Sequence, residues 1–250
     1  MSQSKIFHKN RALGYVSDHI PLVTRFIERR KENLIVTSVG RAFHTYGCEH
    51  FTLLSVSGTH PGNITALAGD NYHVYTASEG QIFAWRRGNE LKHTYKGHES
   101  PIHLLLPFGP HLISVDEDSV LKVWEIQSEI QVRERIFCKN VDKITTICHP
   151  ATYINKIVIG TEQGHLHLWN LNTEKIIYTF NGWKSPVTAL AQAPDGEGNI
   201  LAIGLGDGRI KLHNLKTDCT LFELVQDYGH VTSISFRKDG APIMATGSTQ

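Results

Sequence analysis

A short phrase recurs along this chain: Gly80-Gln-Ile-Phe-Ala-Trp85, Ser119-Val-Leu-Lys-Val-Trp124, Gly164-His-Leu-His-Leu-Trp169 and Gly208-Arg-Ile-Lys-Leu-His213, with a weaker copy at Arg41-Ala-Phe-His-Thr-Tyr46. Each copy follows a turn and ends on a large anchor residue. The anchors are 39 residues apart from 46 to 85 and again from 85 to 124, then 45 apart from 124 to 169 and 44 apart from 169 to 213. A unit of this size cannot bury its apolar face alone and must stack on copies of itself, and a period of about 40 to 45 residues is that of a propeller blade.

Four strand-like runs accompany each anchor. In the second unit they are 64–69, 73–78, 81–85 and 90–95, separated by Glu79-Gly80 and Gly88-Asn89 turns. β-branched and apolar residues between closely spaced turns read as the strands of one small sheet. No interval has the length or the 3.6-residue period that demands a helix. The expected fold is therefore all-β, a propeller of about five four-stranded blades plus a partial sixth. Blades are expected at roughly 20–60, 61–98, 99–138, 139–183, 184–230 and, in part, 231–250. Residues 1–19 form an N-terminal segment in which 11–17 offers a ring-closing strand. The sixth unit stops after Ala245-Thr-Gly-Ser248, where a third strand should follow. An unfinished blade leaves an open edge, so a truncated isoform or fragment is the expectation.

Composition narrows the class. The chain has 250 residues, 40% hydrophobic and 20% charged, enough for a substantial core. It has no apolar run long enough to span a bilayer, and residues 1–11 are polar and basic without a secretory apolar region. A soluble intracellular protein with no membrane partner is expected, its four cysteines (Cys48, Cys138, Cys148 and Cys219) reduced thiols without CxxC pairing. A net charge of +1 argues against a strongly basic nucleic-acid-binding domain.

Gly97-His98 and Gly229-His230 at unit starts, with Trp85, Trp124 and Trp169 followed by polar residues near unit ends, resemble the WD-repeat family across nearly the whole chain. The resemblance implies a buried network joining a His, a strand Ser or Thr, a turn acid and the Trp. His98, Ser114, Asp118 and Trp124 supply it in the third unit, and His60, Thr76, Glu79 and Trp85 in the second. Elsewhere the pattern decays: Cys138 and Trp183 stand at the His positions, Gln163 at the turn acid and His213 at the Trp.

The stretch from Phe7 to Tyr15, Gly88-Asn89-Glu90, the segment around Trp169 and Gly182-Trp183 resemble a nucleolar branch of that family, subunits of the small-subunit processome. Those proteins are longer, with a second propeller and a further domain. The resemblance implies a non-catalytic scaffold in precursor ribosomal RNA processing, located in the nucleus and nucleolus. Its partners would be other processome proteins, with precursor ribosomal RNA and small nucleolar RNA in the same particle. The alternative is a WD-repeat adaptor or substrate receptor in another complex such as a ubiquitin ligase.

Other constellations are weighed against plainer readings. His165-x-His167 would place two rings on one strand face, but zinc needs further convergent ligands, so no metal or cofactor is expected. His98, Ser114 and Asp118 offer triad chemistry only superficially, and no Gly-x-Ser-x-Gly elbow is present. Gly204-Leu-Gly-Asp-Gly208 lacks the Lys-Ser/Thr end of a phosphate loop and reads as a strand turn. The basic group Arg25, Arg29, Arg30 and Lys31, joined by Arg86-Arg87, reads as a solvated turn, with contact to ribosomal RNA or an acidic partner as the alternative.

Overall fold

Strands that alternate apolar and polar residues and are joined by short turns pair most readily with their neighbours in sequence. The computed structural model describes residues 20–28, 30–151, 153–194, 198–225, 229–237 and 243–249. The expected ring-closing strand at 11–17 and Arg29 lie outside the described residues. Within them are five four-stranded antiparallel sheets and one two-stranded sheet, each pairing its strands in sequence order. The first strands of the six sheets are Val23–Ile27, Ala66–Gly69, Ile102–Phe108, Ile144–Cys148, Val187–Gln192 and Val231–Phe236, and each packs beside the next. The sheets are therefore the blades of a propeller, five of them complete.

The core lies between blades. Val36 and Phe43 of the first blade pack with Val74, Phe83 and Trp85 of the second. Tyr75, Ala77 and Tyr95 of the second enclose Trp124 of the third, and Ile113, Val115 and Val123 of the third enclose Trp169 of the fourth. Each anchor tryptophan is thus held by the preceding blade. The ring contacts are oriented: Phe43 meets Trp85 edge-on at 5.7 Å between centroids, and Tyr95 meets Trp124 at 5.4 Å. Such pairs add to the area they bury.

A second regularity marks the same positions. The pairing of third and fourth strands slips by one residue immediately before Tyr46, Trp85, Trp124, Trp169 and His213. A bulge bends the strand and re-aims the side chain beside it. All five repeated anchors, the divergent Tyr46 and His213 included, carry that bend.

One element departs from the expectation of no helix. A single helical turn, Lys139–Asp142, joins the third and fourth blades, with the Val141 and Asp142 amides donating to the Cys138 carbonyl. One turn is too short to leave a periodic signature. Gly160 and Gly204 occupy equivalent places on second strands where the next blade approaches closely. A Cβ on Gly160 would stand 2.6 Å from Val187 Cγ1, and one on Gly204 2.5 Å from Val231 Cγ1.

Trp169 is fully buried between two blades. Its replacement by Ala is expected to cost about 3–5 kcal/mol in urea-induced unfolding; an unchanged midpoint would contradict an interblade core.

Candidate functional site

The polar networks sit behind the anchors. In the third blade, His98 Nδ1 lies 2.8 Å from Asp116 Oδ2 and its Nε2 lies 2.7 Å from Ser114 Oγ. Trp124 Nε1 donates to the same Ser114 oxygen at 2.9 Å. The acid is Asp116, which corrects the expectation of Asp118. Asp116 ends the second strand facing the ring, and its other oxygen accepts the Asp118 and Val120 amides across the turn. Asp118 sits on the exposed tip of that turn and meets the Ser100 hydroxyl. With Nδ1–H given to Asp116, Nε2 accepts the serine hydroxyl proton.

Ser114, His98 and Asp116 reproduce the order of a catalytic triad, but all three side chains are almost wholly buried. The serine oxygen already accepts an indole hydrogen, and burial pushes the His98 pKa down despite the opposing hydrogen bond and charge of Asp116. A nucleophile needs a space beside it for a reacting carbon; this arrangement is packed as an internal strut.

The second blade builds a variant. His60 Nε2 meets Thr76 Oγ1 at 2.7 Å, and Trp85 Nε1 donates to Thr76 Oγ1 at 2.9 Å. Glu79 is exposed and takes no part; the Arg41 carbonyl, 2.9 Å from His60 Nδ1, replaces it. In the fourth blade Ile159 occupies the place of Ser114, and the Trp169 indole N–H has no hydrogen-bond partner among the described residues. In the fifth, His213 meets Phe180 and Trp183 edge-on, each at 5.6 Å, and lies 3.1 Å from Asp218.

The expected basic group divides. Arg25 is buried, its Nε donating to the Asp70 carbonyl at 2.7 Å, and burial lowers its pKa against the pull of Asp70. It ties the first blade to the second and does not reach outward as expected. Lys31 is exposed on a left-handed turn at φ 52°. Arg30 is exposed and, with Arg86 and Arg87 of the second blade, rims a cavity of about 530 Å³ that Arg25 also lines. Ile27, Leu34, Leu54 and Tyr72 give that cavity apolar walls, and no carboxylate is among its described lining residues. Thr45 contributes a buried hydroxyl with no protein partner. The three exposed guanidiniums of Arg30, Arg86 and Arg87 and the aromatic face of Tyr72 suit an anionic partner carrying a flat or apolar group. The sequence placed Arg30 and Arg86 on different blades; only the blade packing makes one pocket of them.

Two outcomes follow. Asp116→Asn is expected to destabilise by about 1–3 kcal/mol, and Asp118→Asn by no more than about 0.5 kcal/mol; the reverse order in urea titrations would sink the Asp116 assignment. Burial lowers the pKa of His60, His98, His103, His111 and His213 below the ordinary 6.5. Unfolding lets these rings take up protons near their ordinary value, so stability is full above it and is lost as pH falls through it toward the lower folded values. The urea midpoint should therefore be lower at about pH 5.5 than at about pH 7.5; a higher one would contradict buried neutral rings.

The profile of the WDR36/Utp21 first beta-propeller matches residues 35–250. The chain is 46% identical over 245 residues to WD repeat-containing protein 36 of Homo sapiens, an alignment covering 98% of this chain and 27% of that protein. It is 36% identical to the U3 small nucleolar RNA-associated protein 21 homolog of Schizosaccharomyces pombe, over 99% of this chain and 28% of that protein. It is 27% identical to U3 small nucleolar RNA-associated protein 21 of Saccharomyces cerevisiae, over 98% of this chain and 26% of that protein. The chain thus spans about a quarter of the length of these relatives. Repeat, blade architecture and alignment agree: the chain belongs to the WDR36/Utp21 family, and residues 35–250 correspond to its first propeller.

Proposed function

We propose that this chain is a non-catalytic docking scaffold of ribosome biogenesis, acting in the nucleolar small-subunit processome on precursor ribosomal RNA. The observation that carries this reading is family membership over nearly the whole chain, with two relatives named for association with U3 small nucleolar RNA. The buried Ser114–His98–Asp116 set fits a scaffold, because its groups face one another and not a cleft. Rigid blades hold their connecting loops at fixed angles, so partners that grip different loops are held at fixed angles too. The arginine-rimmed pocket supplies one such grip, with chemistry suited to RNA phosphates. Among the described residues no helix is long and apolar enough to cross a membrane.

Affinity purification of the tagged chain should recover U3 small nucleolar RNA, precursor ribosomal RNA and processome proteins. Recovery of a ubiquitin-ligase core without those RNAs would overturn the reading in favour of an adaptor. Within the purified particle, Arg30→Glu combined with Arg86→Glu should reduce RNA crosslinking to this chain by several-fold, since each lost phosphate contact weakens binding. Unchanged crosslinking would remove the pocket from the RNA-binding surface.

A further inference from the structure

Among the described residues, only the fourth blade holds a cluster of three potential metal ligands. His167 lies on the third strand, Leu166–Asn170, and His165 immediately precedes it; the single helical turn that enters this blade brings Asp142 against both. Asp142 Oδ1 lies 3.0 Å from His165 Nδ1 and 2.9 Å from His167 Nε2. All three candidate ligand atoms lie within 4.8 Å of one another. We propose that Asp142, His165 and His167 form a binding site for a divalent transition-metal ion, with zinc as the physiological occupant.

Zinc bonds of about 2.0–2.2 Å at the tetrahedral angle separate two ligand atoms by about 3.4 Å. The three groups now hydrogen-bond at 3.0 and 2.9 Å, so small side-chain shifts admit an ion between them. Two imidazole nitrogens and one carboxylate oxygen form a borderline donor set that favours zinc, cobalt, nickel or copper over magnesium or calcium.

The surroundings resemble those of a ligand set. His167 is buried, and its other ring nitrogen, Nδ1, lies 2.9 Å from Thr179 Oγ1. With Nδ1–H donated to the Thr179 hydroxyl, Nε2 becomes the ligating nitrogen when an ion displaces its hydrogen bond to Asp142, the role an outer-shell partner plays. The His165 side chain is 43% exposed, so a water or a donor from a partner can complete the coordination. At the register position of His167 the third and fifth blades instead carry Lys122, 2.6 Å from Glu134, and Lys211, 2.8 Å from Glu223. An ammonium there would repel a metal ion. The fourth blade has exchanged that cation for an imidazole, and neighbouring Lys143 is neutralised by Glu162 at 3.0 Å.

The test is titration of Zn2+ into the chelator-treated chain, with Co2+ visible absorption as a second readout. One tight ion per chain is expected, with ligand-field bands of nitrogen and oxygen coordination for Co2+. Thr179→Val, which removes only the outer-shell contact, should weaken binding about tenfold; Asp142→Asn and His165→Ala should each weaken it further. Because the chain has fifteen histidines, the Asp142→Asn/His165→Ala double variant sets the level of adventitious binding. Wild-type affinity no greater than that level would overturn the proposal and leave a hydrogen-bonded triad. Circular dichroism checks that the variants fold. If the double variant fails to fold, the Co2+ spectrum of the wild-type chain decides, and absence of those bands overturns the site.

Discussion

The stability of this molecule rests on one contact repeated around the ring: the anchor side chain of one blade buried against the face of the blade before it. A four-stranded antiparallel sheet of this size has no interior of its own, so its apolar residues find a dry environment only between neighbours. Trp85, Trp124 and Trp169 fill those gaps, and the register slip before each anchor turns it toward its pocket. The tight approach at Gly160 and Gly204 depends on the same stacking.

The polar networks are subordinate to that packing. Where a His and a Ser or Thr are present, as at His98 with Ser114 and His60 with Thr76, the indole N–H of the following anchor finds an acceptor. Where Ile159 takes the serine's place, Trp169 stays buried with no partner for its N–H among the described residues. Dispersion and hydrophobic burial hold the ring in place even where the hydrogen bond is missing, which is why the repeat tolerates decay. The fourth blade, released from the His–Ser–acid arrangement, is also the blade in which Asp142, His165 and His167 come together.

Much of the fold was legible because the information is local. Strands at 73–78, 111–115 and 156–161 follow from alternation between turns, and the anchors follow from their spacing. The site was less legible. Asp116 and Asp118 are two residues apart on one turn, and which of them faces His98 depends on where the strand ends and the turn begins. Arg25 has the composition of a surface residue, yet the second blade buries it against the Asp70 carbonyl. The one-turn helix that delivers Asp142 has no period to detect.

The sequence by itself determined the repeat, the all-β class, the anchors and the blades in which the polar pattern fails, because each is written in residues close together along the chain. Only the tertiary structure decided which acid completes the third-blade network, that Arg30, Arg86 and Arg87 rim one pocket, and that Asp142 meets two histidines more than twenty residues away. Those outcomes depend on how turns resolve and on how one blade sits against the next. That geometry is set by side-chain packing across the blade interfaces, which no local spacing encodes.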